Sequence, residues 1–167
     1  MRRLVLYYSN TGNTQKVAKA LADELGAELA EVRCPAYLQW FGPIAMAWQI
    51  FSRRLPRVES LVLPHSHYDL VVVGGPVWAA HAAPPIMSVL KRRSFDASAL
   101  ALFVTCNGSA SNSPPEPAIA DMENAAAQTP VLGTAIFREA DIRSPKFADR
   151  ITAFASQLTG GGSAPPA

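Results

Sequence analysis

Two cysteines, Cys34 and Cys106, are all that 167 residues contain. They form no C-x-x-C, so a disulfide scaffold and a redox motif of that spacing are both excluded. No secretory signal stands at the start, because the apolar run after Arg2-Arg3 is too short. A cytoplasmic, reducing location is therefore the expectation. Charge is sparse as well: charged residues make up 17% of the chain and the net charge is +2. That is too little to argue for nucleic acid or an anionic membrane surface as partner. The basic residues are scattered, with adjacent pairs only at Arg2-Arg3, Arg53-Arg54 and Arg92-Arg93. Asp121, Glu123 and the other acids show no paired arrangement, and Ser109, Ser111 and Ser113 lie in no nucleophile elbow. His65 and His67 sit two apart, but a third metal ligand is not evident and a polar loop is the simpler reading.

One stretch, 34–52, lacks charge altogether, which raises the question of a membrane span. Gly42-Pro43 breaks it. The helix expected after the break, over 43–54, would reach only about 18 Å, short of the roughly 30 Å of a bilayer core. No membrane span is expected. The stretch reads either as an ordinary buried helix or as an insertion, about 34–60, whose Trp40, Phe41, Met46, Trp48 and Phe51 cover a ligand edge or form a homodimer contact.

What is present is 49% hydrophobic residues, enough for one domain with a full core. That domain is expected over 1–158, followed by a flexible Gly/Pro-rich tail over 159–167. Strand and helix patterns alternate along it, which predicts a parallel sheet with helices on both faces. Strands are expected over 3–8, 28–32, 70–73, 100–105 and 134–138. Helices are expected over 14–25, from Pro84-Pro85 to 93, over 116–128 and over 145–158. Gly26 is placed to end the first helix, and the continuous apolar run over 70–73 suits a central strand.

The most informative segment is Tyr7-Tyr8-Ser9-Asn10-Thr11-Gly12-Asn13-Thr14. It joins the first strand to the first helix. A helix N-terminus offers free N–H groups and a positive dipole end, so it attracts anions. Ser9, Thr11 and Thr14 add hydroxyls, Asn13 adds an amide, and Gly12 allows a tight turn. The P-loop pattern and Gly-x-Gly-x-x-Gly are both missing, and the nearest cation is Lys16. Neutral dipoles of this kind suit a permanently held phosphomonoester better than a reacting triphosphate. A bare helix cap is the plainer alternative, but a cap needs one hydroxyl rather than three. Two more loops follow strands: Gly74-Gly75-Pro76-Val77-Trp78-Ala79 after the third and Thr105-Cys106-Asn107-Gly108-Ser109 after the fourth. Open α/β sheets bind ligands at that carboxyl edge, near the topological switch point.

With these three loops in this order, the chain resembles the short-chain flavodoxin-like family of bacterial flavoproteins, over residues 1–158. The resemblance implies a doubly wound, five-stranded parallel sheet of order 2-1-3-4-5 and non-covalently bound FMN. It implies that Ser9, Thr11, Gly12, Asn13 and Thr14 hold the FMN phosphate. Pro76, Val77, Trp78 and Ala79 would border the isoalloxazine ring. Thr105, Cys106, Asn107 and Gly108 would contact its other edge and the ribityl chain. Cys106 reads as a small apolar residue near the ligand rather than a reactive thiol. His81, just past Trp78, is placed either to donate to the flavin or a substrate, or simply to be solvated. Two departures bear on activity. The chain is slightly basic where electron carriers are typically acidic, and the segment 105–115 has no aromatic to cover the second ring face. An open face suits an oxidoreductase taking electrons from a nicotinamide or a flavoprotein and passing them to a quinone-like acceptor. A one-electron carrier docking to protein partners is the alternative.

Overall fold

All the predicted strands lie in one sheet. The computed structural model describes residues 1–37, 55–107 and 114–160. In chain order these form β1 (Arg3–Tyr7), α1 (Asn13–Leu25), β2 (Glu28–Glu31), a 3-10 turn (Pro35–Tyr37), β3 (Tyr68–Trp78), β4 (His81–Ala82), α2 (Pro84–Arg92), β5 (Ala97–Cys106), α3 (Glu116–Ala125), β6 (Val131–Arg138), α4 (Glu139–Arg143) and α5 (Phe147–Thr159). The sheet order is β2-β1-β3-β5-β6, with β4 paired to β3 alone. Every pairing among the long strands is parallel. With two-residue β4 set aside, this is the expected flavodoxin-like order, 2-1-3-4-5.

Strand alternation decides which helix covers which face. Leu4, Leu6, Val71, Val73, Leu102 and Val104 point to one side, where Ile86, Val89 and Leu90 of α2 and Ala118, Ile119 and Met122 of α3 meet them. Val5, Tyr7, Leu70, Val72, Ala101, Phe103 and Phe137 point to the other, against Val17 and Leu21 of α1 and Ile151, Phe154 and Leu158 of α5. Central strands buried on both faces explain the unbroken apolar runs in the sequence. The helix α1 stops where Gly26 takes a left-handed conformation, φ 57°, and the Ala27 N–H reaches back to the Ala22 carbonyl at 2.9 Å.

The structure corrects several boundaries. The third strand does not end before Gly74-Gly75-Pro76-Val77-Trp78; it runs through them. Gly74 lies opposite Phe103, and a Cβ there would stand 2.0 Å from the Phe103 ring. A Cβ on Gly75 would stand 2.7 Å from Ile86 Cγ1. The two glycines are thus packing positions that let side chains from neighbouring elements close over the strand. A sixth strand, β4, also goes beyond the expected five. It returns antiparallel to β3 through a two-residue turn, Ala79-Ala80, with Trp78 opposite His81. Both alanines have positive φ, 48° and 67°, as a type I′ hairpin requires; Asn-Gly is the usual occupant. The helix predicted over 116–128 ends at Ala125, the helix predicted over 145–158 is α5, and the short helix α4 ahead of it was not expected. The predicted helix over 43–54, the rest of the uncharged stretch beyond Tyr37, Gly108 and the tail from 161 lie outside the described residues. Among the described residues no helix is long and apolar enough to cross a membrane.

Candidate functional site

The carboxyl ends of β1, β3 and β5 open into a cleft of about 290 Å³, lined by Asn10, Thr11, Asn13, Pro76, Val77, Trp78, Thr105, Cys106 and Asn107. Three segments far apart in sequence supply its walls because the sheet order sets β3 between β1 and β5.

The first wall is the turn from β1 into α1. Ser9 Oγ accepts from the N–H groups of Gly12 and Gln15, at 3.1 and 3.3 Å, and so holds the loop closed. Gly12, at φ 92°, is the residue before the helix and has open space where a Cβ would stand. The first helical hydrogen bond is Lys16 N–H to the Gly12 carbonyl, 2.9 Å. The N–H groups of Asn13 and Thr14 therefore precede the ladder, and among the described residues neither has a protein acceptor. Lys16 points elsewhere: its Nζ donates to the Ile142 carbonyl at 2.9 Å and lies over the Phe147 ring. The α1 end of the cleft is made of backbone N–H groups and hydroxyls, with no cationic side chain turned into it among the described residues. Thr14 is buried, and its hydroxyl lies 2.7 Å from that of Thr105.

The second wall is the end of β3. Pro76 lies beyond the last β1 partner, Gly74, so its missing N–H breaks no bond to β1. Its carbonyl accepts from Ala83 at 3.2 Å and ties the strand to the start of α2. The Trp78 indole is half-buried and meets two tyrosine rings edge to face: Tyr8 at 5.7 Å and Tyr37 at 5.6 Å between centroids. Tyr8 and Tyr37 also touch each other at 6.3 Å. Burial pushes the Tyr8 hydroxyl up to about 12 and the Tyr37 hydroxyl higher still. Both are neutral phenols at any ordinary pH, so the cluster presents a rigid, uncharged wall.

The third wall is Thr105, Cys106 and Asn107. Burial pushes the Cys106 thiol up, against the opposing pull of Arg138 beside it. A protonated, buried thiol is a packing group rather than a nucleophile. Cys34 is raised by burial in the same way.

Of the residues proposed from sequence, the cleft brings together Thr11, Asn13, Pro76, Val77, Trp78, Thr105, Cys106 and Asn107. Ser9, Gly12 and Thr14 belong to the β1–α1 turn and the first turn of α1 that carry the first wall, and Ala79 lies in the hairpin turn. Sequence reasoning missed Asn10, which lines the cleft, and the Tyr8–Tyr37 pair around Trp78. Alternation along β1 places Tyr8 on the side of Leu4 and Leu6, which was readable; the arrival of Tyr37 through a 3-10 turn was not. It also missed Asp121, whose carboxylate holds His81 Nδ1 at 2.8 Å. His65 and His67 do not share a ligand. They contact Glu28 at 3.1 Å and Asp96 at 2.8 Å respectively, and no group of three metal-binding side chains occurs among the described residues.

A family model described as flavodoxin matches residues 2–127. The chain belongs to the flavodoxin family. Solved structures agree. A flavoprotein from Lactobacillus acidophilus, determined in complex with FMN, is 25% identical with a TM-score of 0.66, covering 84% of this chain and 94% of that one. A flavoprotein from Bacteroides uniformis is 20% identical with a TM-score of 0.70, covering 92% and 96%. Oxidised flavodoxin 2 from Bacillus cereus is 14% identical with a TM-score of 0.62, covering 96% and 99%. At those lower identities the likeness is to the flavodoxin fold alone. No curated protein matches the chain.

Proposed function

We propose that this flavodoxin-family chain binds FMN non-covalently in the cleft and acts as an oxidoreductase, passing reducing equivalents from a nicotinamide or flavoprotein donor to a quinone-like acceptor. The observation that carries the reading is one cleft with two chemically different ends. One end offers the N–H groups of Asn13 and Thr14, unpaired among the described residues, beside hydroxyls, and the other offers an indole held by two phenols. A phosphomonoester joined to a flat aromatic ring fits that pair of ends. The related flavoprotein from Lactobacillus acidophilus, which was solved with FMN, supports the same ligand.

In this reading Ser9, Thr11, Gly12, Asn13 and Thr14 hold the phosphate, each charge-assisted hydrogen bond contributing about 1.5–3 kcal/mol. Pro76, Val77, Trp78 and Ala79 border the ring. Thr105, Cys106, Asn107 and Gly108 face its other edge and the ribityl chain. When bound, FMN supplies the electron chemistry; the protein orients it and sets which face meets solvent. The third wall brings no aromatic side chain among its described residues, so a nicotinamide or quinone has a ring face to stack against. The alternative is a one-electron carrier docking to a protein acceptor, which family membership supports. The test is twofold. Added FMN should give a bound-flavin absorption spectrum. The loaded protein should then oxidise a nicotinamide rapidly when a quinone is present. No turnover, together with two well-separated one-electron reduction steps by potentiometry, would move the conclusion to the carrier.

A further inference from the structure

The buried hydroxyls of Thr14 and Thr105 form a side-chain bond between two walls of the cleft. Their oxygens lie 2.7 Å apart, across 91 residues of sequence, and the two residues are only 2% and 4% exposed. Among the described residues neither hydroxyl has a second side-chain partner. A hydroxyl carries one hydrogen and two lone pairs. One hydrogen of this pair is committed to the bond between them, so the pair has one hydrogen left to donate. A phosphate dianion only accepts. It therefore meets one O–H from the pair, not two. Thr14 belongs to the first turn of α1, next to the N–H groups that precede the helical ladder. Either hydroxyl could donate in the bond between them; an anion held at that side would favour the order in which Thr105 donates to Thr14 Oγ1 and the Thr14 hydrogen is left for the anion.

We propose that Thr14 and Thr105 act as a single hydroxyl donor toward the phosphate of FMN. Thr105 is then a positioning residue that turns the Thr14 hydrogen toward the anion, and it selects phosphorylated over unphosphorylated flavin. The proposal rests on the FMN reading above and departs from treating Thr105 as an independent contact to the ribityl chain. The pair spans α1 and β5, so this selectivity is built from the third wall as well as from the phosphate loop.

The test is titration of purified protein with FMN and with riboflavin. Thr105→Val should weaken FMN by about two- to tenfold, the range of one net hydrogen bond, and leave riboflavin unchanged. Thr105→Ser should restore the FMN preference. The double variant, Thr14→Val with Thr105→Val, should lose no more FMN affinity than Thr14→Val alone, because contacts within one network do not add. Thr105→Ala replaces the valine variant if that one does not fold. Equal weakening of both flavins in the Thr105 variants would overturn the proposal and make Thr105 a direct ribityl or ring contact. Fully multiplicative losses in the double variant would overturn it too. Wild-type protein that binds neither flavin would overturn the FMN reading along with it, whereas a strong FMN preference unmoved by Thr105→Val would overturn this proposal alone.

Discussion

The two ends of the cleft are built in opposite ways. The α1 end is open and polar. Gly12 has space around it, the donors are backbone N–H groups, and the nearest cation, Lys16, is turned away to the Ile142 carbonyl. The β3 end is closed and apolar. Gly74 and Gly75 are pressed against Phe103 and Ile86, and Trp78 is wedged between Tyr8 and Tyr37. A charged group needs donors already in place and little else, because the helix dipole and free N–H groups act without side-chain packing. A flat ring needs a wall that does not yield, which only dense packing provides. The same residue type therefore serves different ends: glycine gives conformation at position 12 and room at position 74.

Replacing both glycines with alanine separates these roles. Gly74→Ala drives a methyl into the Phe103 ring and should destabilise the fold by about 3 kcal/mol. A chain of this size should then lose roughly 6–12 °C in Tm. Gly12→Ala meets nothing within 4 Å, so its cost is backbone alone, about 1–2 kcal/mol for a non-glycine residue at positive φ. Its effect should appear more in FMN affinity than in thermal melting. Equal melting losses from the two changes would erase the distinction between room and conformation.

Two smaller changes sharpen the ring end. Trp78→Ala should brighten bound FMN and weaken it by about 0.5–1.5 kcal/mol, the usual worth of an aromatic contact beyond area burial. The phosphate end should keep the cofactor in place, so the loss is partial. Flavin already fluorescent on the unmutated protein would show that the indole does not stack. The Ala79-Ala80 turn holds two alanines in the left-handed region. Ala80→Gly relieves about 1–2 kcal/mol of strain and returns about 0.5–1 in chain entropy. A net gain of about 0.5–1 kcal/mol should raise Tm by roughly 1–4 °C. A lower Tm would mean that the turn is not strained as its φ values indicate.

The α1 end was legible in the sequence because its chemistry is local. Ser9, Thr11, Gly12 and Asn13 act within a few residues of one another, and a strand followed by a helix is enough to place them. The parallel sheet was legible for a similar reason, since the runs Leu4-Val5-Leu6 and Leu70–Val73 are buried on both faces. The β3 end was less so. Gly74-Gly75-Pro76 reads as a loop by composition, yet Phe103 and Ile86, from other elements, make it a strand. The Tyr8–Tyr37–Trp78 cluster, the His81–Asp121 contact and the Thr14–Thr105 bond each join residues 29 or more apart in sequence. No local pattern encodes such meetings; the sheet order does.

The central claim is that one end of this cleft takes a phosphate while the other takes the flavin ring. Parallel titrations of the purified wild-type protein with FMN and riboflavin, read by flavin fluorescence, test it most directly. Both flavins should be quenched on binding, and FMN should bind at least tenfold more tightly, about 1.4 kcal/mol or more from the phosphate. Equal affinity for the two flavins, or binding with no quenching, would contradict it.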